Sequence, residues 1–441
     1  MAHTRSKLAR FIFDNSLLLL AGTIAAVAWA NLDLGSYDRM MHPLHFWVND
    51  VGMVFFFALA AKEVFEATLP GGPLASPRQA MAPLAAAVGG MVAPALIYVD
   101  LTATVGPAEL GRGWAIPCAT DIAFSAMIAR VIFPSGHPAI PFLLLLAIVD
   151  DALGLMILAV FYPSGPLSVA ALAILMTAAV LAALWLKRRR VRSFWPYVLG
   201  PGTLSWAALY FGGFHPALAL VPVVPFMPHS SRDLGLFDPR EDLHVDTLNQ
   251  FEHWWATPVQ FVLLLFGLAN AGVPIEQVGP GTYFVLAGLL LGKPIGILLF
   301  SGAARLAGAT LPTGLRVADL VVIGITAAIG FTVSLFFATA AFPAGASLAE
   351  TKMGALLSFS AAPLALIASR LLRRPSRLRC RSPSGTVGTR QGDRCCPATA
   401  TPLRGHVRRP RPPESSANGS LAPAPAPPGR GARCCGRPHG G

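Results

Sequence analysis

Apolar runs of about 20 residues recur along the first 374 residues of this chain, and a helix of that length crosses the hydrocarbon core of a bilayer. Twelve such runs are expected, over residues 11–31, 46–68, 79–99, 113–133, 139–162, 167–186, 195–210, 213–228, 252–273, 281–303, 317–342 and 353–372. In lipid every backbone N–H and C=O must be satisfied within the segment, so these runs are read as helices. The expected fold class is an all-α polytopic membrane protein. Composition agrees, with 54% hydrophobic and only 13% charged residues, about half the charged share of a soluble domain. The first run is free of acid after Asp14, is followed by further spans, and shows no signal-peptide cleavage site.

A net charge of +12 is odd for a chain so poor in charge, and it is not evenly spread. Residues 375–441 hold twelve Arg, no Lys, and the acids Asp393 and Glu414, a net +10 that leaves +2 for residues 1–374. The same tail carries Cys380, Cys395, Cys396, Cys434 and Cys435, lacks Phe, Trp and Tyr, and is rich in Pro and Gly. Such a composition predicts disorder. The Cys pairs suggest metal binding but lack C-x2-C spacing, and the Arg residues suggest anionic lipid or nucleic acid. The favoured reading is an extension with no selected fold, of the kind a G/C-rich gene gives in a shifted frame. The high pI then says nothing about nucleic acid. The expected domains are 1–374, spanning the membrane, and 375–441, the tail.

Lys and Arg mark the cytoplasmic side of membrane helices. Arg5, Lys7 and Arg10 precede the first run. Lys187, Arg188, Arg189, Arg190 and Arg192 follow the sixth, and Arg370, Arg373 and Arg374 end the twelfth. An even number of spans separates these groups, so all three, and both termini, are expected in the cytoplasm. The mixed-charge loop 229–250, with Arg232, Asp233, Asp238, Arg240, Glu241, Asp242, His244 and Asp246, is read as a solvated cytoplasmic linker.

Charges inside a span cost roughly 2.5–3.5 kcal/mol each on insertion scales, so each asks for a reason. Span five, PFLLLLAIVDDALGLMILAVFY, is apolar apart from Asp150 and Asp151. Adjacent helical residues point about 100° apart, so the two carboxylates cannot share one partner equally. One takes a cation while the other takes a proton or faces a Lys or Arg; a structural ion pair is the plainer alternative. Span four places Pro117, which breaks helical hydrogen bonding, just before Thr120 and Asp121. Span eleven has Gly324 and Gly330 ahead of Thr332 and Ser334. Interrupted helices at matching positions of two halves mark the site of inverted-repeat transporters, and these two spans are the middle members of three to five and ten to twelve. Span ten supplies Lys293 within LLLGKPIGILLF, which needs an acid such as Asp150 or Asp151 to hold its charge there.

These residues fall in motifs that resemble a known family. TDIAF (Thr120–Phe124), AIVDDALG (Ala147–Gly154), GLANAG (Gly267–Gly272), GKPIGI (Gly292–Ile297) and GFTVS (Gly330–Ser334) are similar to those of the NhaA-type sodium/proton antiporters. WVNDVGMVFFF (Trp47–Phe57), GGMVAPALIY (Gly89–Tyr98) and GFHPALA (Gly213–Ala219) extend the likeness, in order from about residue 10 to 373. The family is itself a known inverted-repeat transporter, so the symmetry and the resemblance are not independent.

The resemblance implies electrogenic exchange of cytoplasmic Na⁺ or Li⁺ for external protons, without a cofactor, in a bacterial inner membrane. It implies that Asp151 is the principal cation- and proton-carrying acid, with Asp150 its partner in holding Na⁺ and Lys293 the compensating lysine. Thr120 and Asp121 match the crossing of the broken helices, where a carboxylate offsets positive helix ends. The chemistry agrees: Na⁺ is a hard cation that takes oxygen ligands, and two close carboxylates titrate as a coupled pair, so Na⁺ and H⁺ compete for one site. If only an occupied site lets the repeats rock, competition becomes exchange.

Some positions depart from the family. Its E-V-K-R-E segment reads Glu63-Val64-Phe65-Glu66-Ala67, without the basic pair, and a second histidine near Glu252 and His253 is replaced by Ala256. With His215 these are the pH-sensing candidates, and a shifted or shallower pH profile is expected. The segment from Asn31 to Phe46 is expected to be a loop, too short for the β-hairpin that pairs protomers in the family, so a homodimer is expected to be weaker or held otherwise.

Three other functions compete. An ion-coupled carrier of an organic solute keeps the fold, but the Asp pair with its lysine argues against it. An intramembrane aspartyl hydrolase needs acids facing each other, whereas Asp150 and Asp151 are adjacent and no G-x-G-D motif appears. A passive channel would show no coupled flux.

Overall fold

The computed structural model describes residues 17–229 and 246–372 of the chain. The cations expected at Arg5, Lys7, Arg10, Arg373 and Arg374, the charges of residues 232–244, and the Cys- and Arg-rich tail lie outside the described residues.

The described residues form helices and turns, with no strand among them. In chain order the helices are α1 (Leu17–Leu32), α2 (Leu34–Thr68), α3 (Pro77–Thr104), α4 (Ile122–Ile132), α5 (Ala139–Phe161), α6 (Val169–Arg188), α7 (195–212), α8 (Thr247–Asn270), α9 (Pro280–Leu306), α10 (Val317–Ala327), α11 (Phe331–Ala341) and α12 (Ala346–Leu372). Among the described residues, six helices are long and apolar enough to cross a membrane, or up to eight if each bent pair is one span. The first bent pair is the turn of helix Ala108–Cys118 with α4, at 51°; the second is α10 with α11, at 48°. Both interruptions expected from sequence are present. In span eleven, however, α10 runs unbroken through Gly324 and stops at Ala327. Gly324 is a packing residue: a Cβ there would lie 2.7 Å from the Pro294 Cα.

Two other expectations change. The eighth span is not a regular helix, because residues 213–229 run as turns and two short 3₁₀ pieces, Pro216–Leu218 and Val224–Phe226. Pro216, Pro222, Pro225 and Pro228 each lack an N–H and disrupt an α-helix, and Gly213 ends α7 in the left-handed region at φ 84°. The segment still makes a full pass. Gly213 O accepts from Ser164 N–H at one end, and Pro225 O accepts from the Lys187 ammonium at the other. A 3₁₀ turn rises about 2.0 Å per residue against 1.5 Å for α, so few residues suffice. The stretch from Asn31 to Phe46 is also not a loop. Asp33 caps α2 by accepting from Ser36 N–H at 3.1 Å, and α2 continues through a π-helical stretch, Phe46–Gly52, into the apolar run.

Packing sets the middle of the molecule. α3 and α9 approach backbone to backbone: a Cβ on Gly296 would lie 1.9 Å from Gly89 O, and one on Gly292 would lie 2.7 Å from the Pro94 Cα. Gly288, Gly292 and Gly296 form the small-xxx-small spacing that lets membrane helices touch. A π-helical turn, Gly288–Gly292, immediately precedes Lys293, and such turns re-aim the residues that follow. α5 packs on α3, α2 and α4, while α1 lies along α8.

Candidate functional site

The two interruptions cross each other. The Asp121 N–H donates to Ile329 O at 2.7 Å, so the backbone of one break is hydrogen-bonded to the other. Asp121 is the N-cap of α4, its Oδ1 accepting from Phe124 N–H at 3.3 Å. Its Oδ2 accepts from Thr332 N–H at 3.2 Å and from the Thr332 hydroxyl. One buried carboxylate thus faces two helix N-termini, each carrying roughly half a positive charge. At the matching N-cap of α11 the residue is Gly330, so the acid of one half serves both.

The crossing is reciprocal in its hydroxyls as well. Ser125, four residues after the Asp121 cap, donates to Thr326 O at 3.0 Å, and Ser334, four after Gly330, donates to Ile116 O at 2.8 Å. Each serine donates to a carbonyl in the last turn before the opposite interruption, where intrahelical partners run out. Pro117 sits in the last turn before the first break, in the 3₁₀ piece Ile116–Cys118, as its missing N–H favours.

Beside the crossing lies a second polar knot. Lys293 donates to Asp150 Oδ2 at 3.0 Å and to the Thr120 hydroxyl; that hydroxyl, with its single proton, donates to Asp150 Oδ2 at 2.6 Å and also lies 3.2 Å from Ala327 O, the last carbonyl of α10. Thr120 and Lys293 are 0% exposed and Asp150 is 2% exposed. Asp150 Oδ1 has no hydrogen-bond partner among the described residues. Of the two alternatives for the adjacent acids, Asp150 is the one that faces the lysine.

Asp151 points elsewhere. It makes no hydrogen bond or ion pair among the described residues and lines a cavity of about 210 Å³ with Thr120, Asp121, Thr332, Glu63, Glu252 and Arg130. Arg130 is exposed and Glu252 partly so, so the cavity reaches the surface at the end of the bundle where α6 finishes and α8 starts. Away from that mouth the site narrows to a void of about 10 Å³ between Asp150, Asp151, Phe57, Val333 and Phe337, room for roughly one water. Phe57 stacks edge-on against Phe336 at 4.8 Å and Phe336 meets the His215 ring at 4.8 Å, which closes the other end with apolar surface.

The pH-sensing candidates divide between these ends. Glu63 and Glu252 line the cavity, and His253 beside them is exposed. His215 lies at the opposite end, its Nδ1 accepting from Ala217 N–H and lying 3.9 Å from Asp50 Oδ1. Sequence reasoning passed over one charge at the mouth. Lys62, 0% exposed, pairs with Glu66 at 2.6 Å and with Glu252, so the mouth holds a cation although the basic pair is absent. The i,i+4 spacing of Lys62 and Glu66 on one helix face was the available signal.

Chemically, the arrangement offers carboxylate, hydroxyl and carbonyl oxygens around a cavity that is open at one end. Oxygen donors of these kinds suit a hard cation.

Comparison with known proteins bears on this geometry. The family model "Na+/H+ antiporter 1" matches residues 10–369. The Na⁺/H⁺ antiporter NhaA of Desulfitobacterium hafniense (strain DSM 10664 / DCB-2) is 46% identical over 378 residues, covering 84% of this chain and 97% of its own. That of Geobacter metallireducens is 44% identical over 366 residues, covering 81% and 96%. A more distant likeness is the solved sodium proton antiporter MjNhaP1 from Methanocaldococcus jannaschii, with a TM-score of 0.46 at 16% identity over 81% of this chain and 92% of that one.

Proposed function

This chain belongs to the Na⁺/H⁺ antiporter 1 family, and on that footing we propose that it exchanges cytoplasmic Na⁺ or Li⁺ for external H⁺ by alternating access in a bacterial inner membrane. Asp151 is the acid at which cation and proton compete, and Asp150 shares the load. The carrying observation is the division of labour between the two neighbours: Asp150 is tied to Lys293 and Thr120, while Asp151 faces an open cavity without a partner among the described residues. A free carboxylate at the end of an aqueous cavity takes whichever of Na⁺ and H⁺ arrives, and two adjacent acids titrate as a coupled pair.

The orientation of the site follows from the charge rule. Lys187 and Arg188 end α6 on the side where the cavity opens, and positive loops lie in the cytoplasm, so the cavity faces inward. Lys293 then has two roles. While Asp151 holds Na⁺, it neutralises Asp150; when Na⁺ leaves, it limits the repulsion between two bare carboxylates. The Asp121 carboxylate holds the two helix starts together, so that the crossing moves as a unit when the halves rock.

The test is transport by the reconstituted chain. In vesicles with an imposed pH gradient, adding Na⁺ or Li⁺ outside should collapse the gradient, and the flux should run against a Na⁺ gradient when driven by protons. A gradient that collapses only with an organic solute, or a flux that runs only downhill, would overturn the reading in favour of a solute carrier or a channel.

A further inference from the structure

The wall of the cavity carries five charged side chains, Glu63, Asp121, Arg130, Asp151 and Glu252. Two of the acids are committed. Asp121 caps two helices, and Glu252 is paired with Lys62. Glu63 and Asp151 have neither hydrogen bond nor ion pair among the described residues, and they come from different helices, α2 and α5. The Lys62 ammonium, although near in sequence, makes its contacts with Glu66 and Glu252 rather than with Glu63.

A neutral oxygen joins them. Gln260, on α8, lines the same cavity, and its Oε1 is buried with no hydrogen-bond partner among the described residues. A buried acceptor left without a donor is costly, by about 1–3 kcal/mol, and native structures carry few of them. A cation in the cavity would satisfy it. Glu63, Gln260 and Asp151 together supply two carboxylates and an amide oxygen from three helices, the donor set of a hard cation.

We propose that Glu63 and Gln260 form a second cation-coordinating station in the cavity, which takes Na⁺ or Li⁺ from the mouth and shares it with Asp151. The station rests on the reading of this cavity as the cation path. Its ligands lie on α2 and α8, outside the two interrupted triplets α3–α5 and α9–α12, whereas Asp151 lies within them. A rocking of the triplets carries Asp151 away and leaves Glu63 and Gln260 behind. The station is therefore complete only while the cavity is open to the cytoplasm, and it strengthens cation capture on that side alone.

The experiment is a Na⁺ titration of proton flux by the full chain in vesicles, run on Glu63→Gln, Glu63→Asp, Gln260→Leu and Asp151→Asn. Glu63→Gln and Gln260→Leu should each raise the Na⁺ half-saturation by about fivefold or more, as loss of one good ligand does, while Glu63→Asp keeps most of the affinity. The Na⁺-induced rise in unfolding temperature of the purified variants should shrink in parallel, and their unfolding temperature without Na⁺ reads folding separately. Half-saturation unchanged in both variants overturns the station, as does a loss confined to maximal rate with Na⁺ stabilisation intact. If Asp151→Asn abolishes flux while these variants titrate normally, the station alone fails; if Asp151→Asn still exchanges, the cation path itself fails.

Discussion

At the scale of single residues, the account turns on charges that lipid-embedded helices would exclude unless they were used. Lys293, Thr120 and Asp150 form a closed knot at 0–2% exposure. Removing one partner of such a pair strands the other, at a cost of about 3–5 kcal/mol. Lys293→Met should therefore lower stability by about that amount in a denaturant titration in detergent, and adding Asp150→Asn should recover much of it. An additive double variant would show that the knot is not a coupled pair. Most of these side chains were legible in the sequence because each breaks an otherwise apolar run. Which acid takes the lysine was not legible, since helical periodicity gives an angle between Asp150 and Asp151 but not the azimuth of α9. The i,i+4 pairing of Lys62 with Glu66 was legible, but its second partner, Glu252, is 190 residues away and beyond any local pattern.

At the scale of elements, the two broken helices were readable from Pro117 and from the Gly-Thr spacing of span eleven, since few residues end a helix inside a membrane. The precise break in the second was not. Gly324 looks like a breaker in sequence, yet it serves close packing against Pro294, and the two uses of Gly share one signature. Span eight failed as a helix for the converse reason: its apolar length was right, but four prolines within residues 213–229 outweigh hydropathy. The contact of α3 with α9 deserves a direct probe because it carries Lys293. Gly296→Val places carbon where Gly89 O sits, 1.9 Å away, and must push the helices apart, with an overpacking cost of about 1–3 kcal/mol or more. It should lower the unfolding temperature and abolish exchange. Gly302→Ala on the same helix, with nothing within 4 Å of its Cβ position, should leave both intact. Equal behaviour of the two variants would contradict the packing argument.

At the scale of the whole molecule, the net charge of +12 resolves into a nearly balanced membrane unit and a strongly basic tail. The relatives are matched over 96–97% of their own length by 81–84% of this chain, and the family match ends at residue 369. The tail is thus outside what the transporter reading needs. A chain ending at residue 374 should transport with the rate and Na⁺ half-saturation of the full chain in vesicles; a marked loss would give residues 375–441 a function. Sidedness is likewise a property of the whole chain, set by a few cations per loop rather than by any one helix. What unites the scales is a single claim, that Na⁺ and H⁺ alternate at the Asp151 carboxylate. Its most direct test is Na⁺-driven proton flux in vesicles carrying Asp151→Asn, which keeps the side chain's shape and removes its charge. The account predicts that exchange is abolished while the protein remains folded; substantial residual exchange would contradict it.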